Sequence, residues 1–457
     1  MITKKNIQIF FYIFIILHLA IWTLTPSLTN VNLPLDTIEA LAWGSDLKWG
    51  FNKHPPFSAF AAEIFYQFFG NQDWAFYLLS QIFVIFSFFI VFKMAKEFLL
   101  NPVLAFLSVL LLEGVFFYNY TTPEFNVNIA QLPFWALSIY YTWRCKKHNE
   151  LNDYILLGLF ISLGFLSKYL FVYLILGIYS YLFYLFYHEK KINLIKILIT
   201  TLIAIVIISP HIYWLINNNF ETLAYGLKRT GGIGSVFDHI SFPTIFIIKQ
   251  VGILLPFFLL FYSLVKNFKL ETPKKNEKNI FLFFTFLLPI LLVVVTSIIM
   301  GVKIRTMWMT PFYLFIGMVF IQLFLRKIDI AGLKKFYFIF LFFFILSPIF
   351  YLYVSLTNDF KRTDYPGKEI ARLVQNKWDD NFSNEIKIVV GDEWFAGNLS
   401  YHLNSRPRWV NDFKDGAAVI KKEEGVIYTG NPKILKKICP GVYGTIRPVG
   451  YCMIGIK

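Results

Sequence analysis

Long apolar runs separated by short polar breaks recur along most of the chain. Ile280–Val302, opening "IFLFFTFLLPILLVVV", and Phe336–Leu356 contain no charged residue. A helix rises about 1.5 Å per residue, so about twenty such residues cross the roughly 30 Å of a bilayer's hydrocarbon. Spans are expected near 7–27, 74–92, 101–118, 128–143, 153–167, 170–187, 194–214, 244–265, 280–300, 307–325 and 336–356. The pattern therefore predicts a polytopic all-α membrane protein of about eleven transmembrane helices. The run Ile7–Ile21 follows Lys4 and Lys5 but precedes no small-residue cleavage site, so it reads as a first span that is retained.

From Thr357 the alternation becomes that of mixed polar and apolar structure. "EIKIVVGDEWFAGNLSYHL" predicts strand, turn and helix, and "GVIYTG" and "GTIRPV" predict further short strands. The chain thus divides into a transmembrane domain, 1–356, and a small C-terminal α/β domain, 357–457. Composition agrees: 57% of the 457 residues are hydrophobic, 16% are charged and 53 are phenylalanine, more than a single soluble core uses. With three cysteines, neither a disulfide framework nor a cysteine-rich zinc site is expected. Cys439 and Cys452 are equally open to pairing or to remaining thiols, and Cys145 is expected to stay reduced.

Charge orients the spans. The breaks "TKKN", "KMAKE", "RCKKHNE", "HEKKINLIK", "KNFKLETPKKNEKN" and "RKIDIAGLKK" alternate with breaks poor in Lys and Arg. The positive-inside rule places the basic set, and the N-terminus, in the cytoplasm and the C-terminal domain outside. "DTIEALAWGSDLKWGFNKHPPF" (Asp36–Phe57) then lies outside, with "YNYTTPEFN", the loop 216–235 and "GVKIRT". Leu35–Trp49 has an apolar spacing suited to an amphipathic helix along the interface, and Phe57–Phe69 repeats it. Pro55 and Pro56 break the chain between them and hold Lys53 and His54 extended.

Three signals carry chemistry. Asp36 in the first loop and Glu124 at the mouth of a span are carboxylates that could share a divalent cation such as Mg or Mn, or serve one as general base. Lys53, Lys168, Lys228, Arg229, Lys303 and Arg305 are cations on the side that should be poor in them, and such groups suit a phosphate or pyrophosphate. Lys168 interrupts two apolar runs in "GFLSKYL" and should be held by an anion. Against this stands the reading of solvated loops and interfacial anchors. "YGLKRTGGIG" lacks a preceding strand and nucleotide spacing, and reads as a lid over the outer cavity.

"LDTIEALAWGSDLKWGFNKHPPF", "TTPEFN…AQLPFWAL", "GFLSKYLFVYL", "WLINNNFETLAYGLKRTGG" and "KIRTMWMTPFYL" resemble, in that order, the blocks of the GT-C membrane glycosyltransferases. The similarity covers most of 30–320, in the branch of dolichyl-phosphate-mannose-protein mannosyltransferases and the lipid A aminoarabinose transferase. It implies an inverting enzyme of the bacterial inner membrane that takes a sugar, an aminosugar in the lipid A transferases of that branch, from a polyprenyl-phosphate donor. The acceptor would be lipid A or another envelope molecule at the periplasmic face. It places the family's catalytic acids on Asp36 and Glu124 and its phosphate ligands on Lys53, His54, Lys168 and the Lys228–Arg229 pair. The chain departs from the family in having Thr37 after Asp36, and Glu rather than Asp at 124. A phosphate acceptor would hardly need a base, and Asp36 would then orient the acceptor or a cation. Membrane lipids are expected partners and nucleic acid is not. A flippase for an anionic lipid, a protein O-mannosyltransferase and a non-catalytic scaffold are the competing readings.

Overall fold

The computed structural model describes residues 4–190, 192–231, 234–266, 276–329, 333–411 and 422–457. Among them, seven helices are long and apolar enough to cross a membrane: Asn6–Thr29, Asp73–Leu99, Tyr169–Glu189, Leu194–Asn217, Asp238–Tyr262, Glu277–Met300 and Leu333–Thr357. The pair Thr306–Tyr313 and Ile316–Leu323, bent by 58°, makes an eighth if taken as one span. The other expected spans fall on shorter helices, Pro102–Gly114, Leu132–His148 and Leu151–Ser167.

These shortenings have local causes. Leu132–His148 ends in the basic run Arg144–His148, where Arg144 pairs with Asp153 at 2.7 Å. Pro102–Gly114 tightens into a 3-10 turn whose Gly114 lies against the Phe257 backbone; a Cβ there would come within 2.6 Å of Phe257 Cα. Phenylalanines fill the contacts, as where Phe11 stacks on Phe92 with centroids 4.0 Å apart.

Between the first two spans lie two helices, Leu35–Gly44 and Phe57–Phe69, at the positions expected for them. The first departs from the interfacial expectation, because Thr37 through Gly44 are all buried. Its cover is the C-terminal domain: Gly397 of the helix Phe395–His402 sits so close that a Cβ would meet Ala42 Cβ and Ile38 Cγ2, each at 3.1 Å. A helix roofed by protein on its polar side needs partners there, and Thr37 donates to the Phe125 carbonyl at 3.2 Å.

The C-terminal domain has five strands, β1 Ile388–Val390, β2 Arg408–Val410, β3 Val426–Gly430, β4 Val442–Ile446 and β5 Val449–Ile454, in the order β2-β1-β3-β5-β4. β1 runs parallel to β2 and β3, with Ile388 opposite Arg408 and Val426. β3–β5 and β5–β4 are antiparallel. The helix Gly367–Asp379 buries Ile370, Val374 and Trp378 in the domain's core, which continues into Trp43 and Phe51 of the first loop. Cys439 and Cys452 form a disulfide, and Cys145 is a buried free thiol.

Candidate functional site

Asp36 occupies the first turn of Leu35–Gly44, where the backbone N–H groups have no partner inside the helix. The Asp36 N–H donates to Glu124 Oε1 at 3.1 Å, so Glu124 caps this helix from a distant segment. Glu124 is itself held from behind. Asn126 caps the short helix Val127–Ala130, accepting from Asn128 and Ile129 N–H. Thr122 donates to the Asn119 carbonyl at 2.6 Å and accepts from Gln81 at 2.9 Å.

Lys168 closes the constellation. The helix Leu151–Ser167 stops there, and Lys168 is extended (φ −163°, ψ 136°) before the next span begins. Its ammonium is 4% exposed, donates to Asn128 Oδ1, and lies 5.4 Å from the centroid of the Trp308 ring. Burial lowers the Lys168 pKa to about 7, against the pull of the Asp36 charge. Burial raises Asp36, opposed by Lys168, Lys53, Arg362 and Arg229. Glu124 is raised to about 8 by burial and by Asp36 beside it. The Asp36 carboxylate makes no hydrogen bond or ion pair with any described residue and is only half-buried.

Lys53 and His54 sit above this group. Lys53 Nζ is 2.7 Å from Glu39 and 3.2 Å from Glu393 of the C-terminal domain. Burial opposes its charge, but these two carboxylates outweigh burial and hold its pKa above the ordinary value. Glu39 is pushed up to about 7 by burial, which Lys53 counters. His54 lies edge-on to Trp43 and Tyr225, with centroids 6.0 and 6.3 Å away. Burial and then the charges of Lys168, Lys53 and Arg229 lower its pKa to about 3, so at neutral pH it is uncharged.

The later basic residues divide. The stretch read as a lid is partly helical, Glu221–Arg229, and is tied to the first loop by Thr222 donating to the Phe51 carbonyl at 2.6 Å; Gly232 and Ile233 of the same stretch lie outside the described residues. Arg229 acts on Asp36 and His54 although it is solvent-exposed, as Lys228 beside it is. Lys303 is exposed and lies 5.9 Å from the Phe242 ring centroid, and Arg305 forms no ion pair among the described residues. The structure therefore brings together Asp36, Glu124, Lys53, His54, Lys168 and Arg229, but not Lys228, Lys303 or Arg305.

Among the described residues no group of three or more His, Cys, Asp or Glu converges as metal ligands, and the charged neighbours of Asp36 are mostly cations. Next to the constellation runs a groove of about 440 Å³ lined by apolar residues alone, including Trp49, Pro56, Phe57, Phe60 and Leu166. It begins at the double proline and descends between Phe57–Phe69 and the spans that carry Leu79, Leu163 and Ile207.

Residues 53–214 match the family described as dolichyl-phosphate-mannose-protein mannosyltransferase. The structure superposes with a TM-score of 0.64 on ArnT from Cupriavidus metallidurans bound to undecaprenyl phosphate, at 11% identity over 96% of this chain and 97% of that one. The chain thus shares the fold of that protein over nearly its whole length. The apo state of the same ArnT gives 0.63 at 10% identity, over 96% and 97% of the two chains. Archaeal oligosaccharyltransferase AglB from Archaeoglobus fulgidus gives 0.46 at 11% identity, over 93% of this chain and 69% of that one. No curated protein sequence matches the chain. The matched segment carries Lys53, His54, Glu124 and Lys168, while Asp36 precedes it and Arg229 follows it.

Three residues of the site escape a sequence reading. Arg362, whose guanidinium lies 5.9 Å from the Trp394 ring, reaches Asp36 electrostatically because the Thr363 carbonyl accepts from both Val31 and Asn32 at 2.9 Å. Glu393 and Trp394 arrive on the same domain. "FKRTDYPG", basic and immediately after the last span, was the available signal for Arg362; Glu393 had none.

Proposed function

We propose that this protein is a GT-C glycosyltransferase that transfers a sugar from a polyprenyl-phosphate donor to an acceptor of the cell envelope at the outer face of the plasma membrane. The observation that carries the reading is an Asp36 carboxylate with no partner of its own, acted on by Lys168, Lys53, Arg229 and Arg362. Carboxylates and cations this close normally pair, and a protein that leaves one open holds it for a substrate.

The polyprenyl tail lies in the apolar groove, which keeps the lipid in contact with hydrocarbon while its phosphate reaches Lys168 and Arg229. The acceptor oxygen attacks the anomeric carbon, the bond from that carbon to the phosphate oxygen breaks, and the phosphate leaves with the electron pair. This single displacement inverts the anomeric centre. Lys168 and Arg229 stabilise the charge that grows on the departing oxygens. For a hydroxyl acceptor, Asp36 takes the proton. A bound phosphate offsets the cations that pull the Asp36 pKa down, so the donor makes Asp36 a stronger base at the moment one is needed. Glu124, capping the Asp36 helix, positions that carboxylate.

The likeness to ArnT, solved with undecaprenyl phosphate, supports the lipid donor and favours lipid A as acceptor. The test is transfer of labelled sugar by purified protein in nanodiscs, from undecaprenyl-phosphate mannose or aminoarabinose to lipid A. Labelled lipid A and free undecaprenyl phosphate are expected from the parent and neither from Asp36→Asn. Lack of transfer from both donors, or equal rates in the two proteins, overturns the reading.

A further inference from the structure

A second cavity, of about 700 Å³, lies where the helix Gly367–Asp379 faces the end of the first span and the turn before the second. Unlike the apolar groove, it has charged and polar side chains in its lining beside Val31, Pro366, Ala371 and Leu403. Lys368, Arg372 and Asn376 recur at four-residue spacing and so share one helical face, which borders the cavity. Neither cation forms an ion pair among the described residues, and like charges one turn apart repel each other. An anion between them removes that repulsion.

The opposite wall offers hydrogen bonds in place of charge. Asn404 and Asn71 border it; Asn71 Nδ2 donates to the His402 carbonyl at 3.3 Å, and a carboxamide carries two N–H donors and an acceptor, the complement of ring hydroxyls. His402 is 6% exposed, and its Nε2 meets Asn32 Oδ1 at 3.0 Å while its Nδ1 has no partner. Glu369 also lines the cavity, accepts from hydroxyls and disfavours a bare anion. Cations beside carboxamides and one carboxylate suit a sugar that carries a phosphate better than either part alone.

The cavity and Asp36 share one segment. Val31 lines the cavity, Asn32 bonds His402 and also Asn398 at 2.7 Å, and Asp36 begins the next helix. Resting on the glycosyltransferase reading, we propose that this cavity receives the phosphorylated saccharide headgroup of the acceptor and orients it toward Asp36.

Saturation-transfer NMR of glucose 1-phosphate with the full chain in nanodiscs tests this, with glucose as a second probe and inorganic phosphate as competitor. Glucose 1-phosphate is expected to bind better than glucose and to resist inorganic phosphate at equal concentration. Lys368→Ala/Arg372→Ala should weaken it about tenfold, the loss of one charge-assisted contact or more. Lys368→Arg/Arg372→Lys should restore most of the affinity. The proposal is overturned if the double alanine variant binds like the parent or if glucose binds equally well. A chain that binds sugar phosphate here but transfers no sugar leaves the cavity standing and removes the glycosyltransferase reading.

Discussion

Two clusters of charge flank the same pair of helices and are treated in opposite ways. At one, Arg406 of the C-terminal domain reaches Glu63 Oε2 and the Leu41 carbonyl, each at 2.6 Å, and its guanidinium lies 4.2 Å from the Tyr66 ring centroid. This pair is direct and buried, and it clamps both Leu35–Gly44 and Phe57–Phe69 under the domain. At the other, Asp36 faces Lys168 and Arg229 without touching either. The buried, bonded pair fixes geometry, and the open set is available to bind. Burial and charge alone do not distinguish the two; whether a partner is in contact does.

Substitutions can break this contrast. Asp36→Asn removes the proposed base while keeping shape, and should lower transfer about 10³-fold with the unfolding midpoint unchanged. Arg406→Leu should do the reverse. It strands the buried Glu63 carboxylate and should cost about 3–5 kcal/mol of stability in denaturant titration, with transfer per folded molecule kept. A loss of stability in Asp36→Asn as large as that in Arg406→Leu would erase the distinction.

The pH dependence sharpens it. Lys168, lowered to about 7 by burial, is protonated below that pH and neutral above it in the empty site. A phosphate bound to the protonated form must then bring in a proton, so donor affinity should be flat below pH 7 and fall about tenfold per unit above it. Donor titrations between pH 6 and 9 check this; a profile flat throughout would remove Lys168 from the phosphate site. The smallest effect is expected at Lys53, which Glu39 and Glu393 hold already. Glu393→Gln frees part of that charge and should tighten donor binding by roughly twofold, measured as the donor KM.

How far the sequence foretold this varies with the range of the interaction involved. The long spans were legible because about twenty apolar residues in a row have one common fate. Leu151–Ser167 and Lys168 were legible too, since a lysine between two apolar runs marks a break. The burial of Leu35–Gly44 was not: its amphipathic spacing is the same whether its polar side meets water or Lys53 and Phe125. Asp36, Glu124 and Lys168 could be named from local chemistry and the resemblance, but the capping of Asp36 by Glu124 joins segments far apart in the chain. Arg362 and Glu393 depend on where a separate domain docks, which no local pattern encodes.

Binding of undecaprenyl phosphate to the parent, Asp36→Asn and Lys168→Met, followed by native mass spectrometry, tests the central claim most directly. Asp36→Asn should bind at least as tightly as the parent while transferring no sugar, because a repelling charge is gone. Lys168→Met should bind about tenfold more weakly. Equal binding by Lys168→Met, or lost binding in Asp36→Asn, would contradict an open carboxylate set against a phosphate-holding lysine.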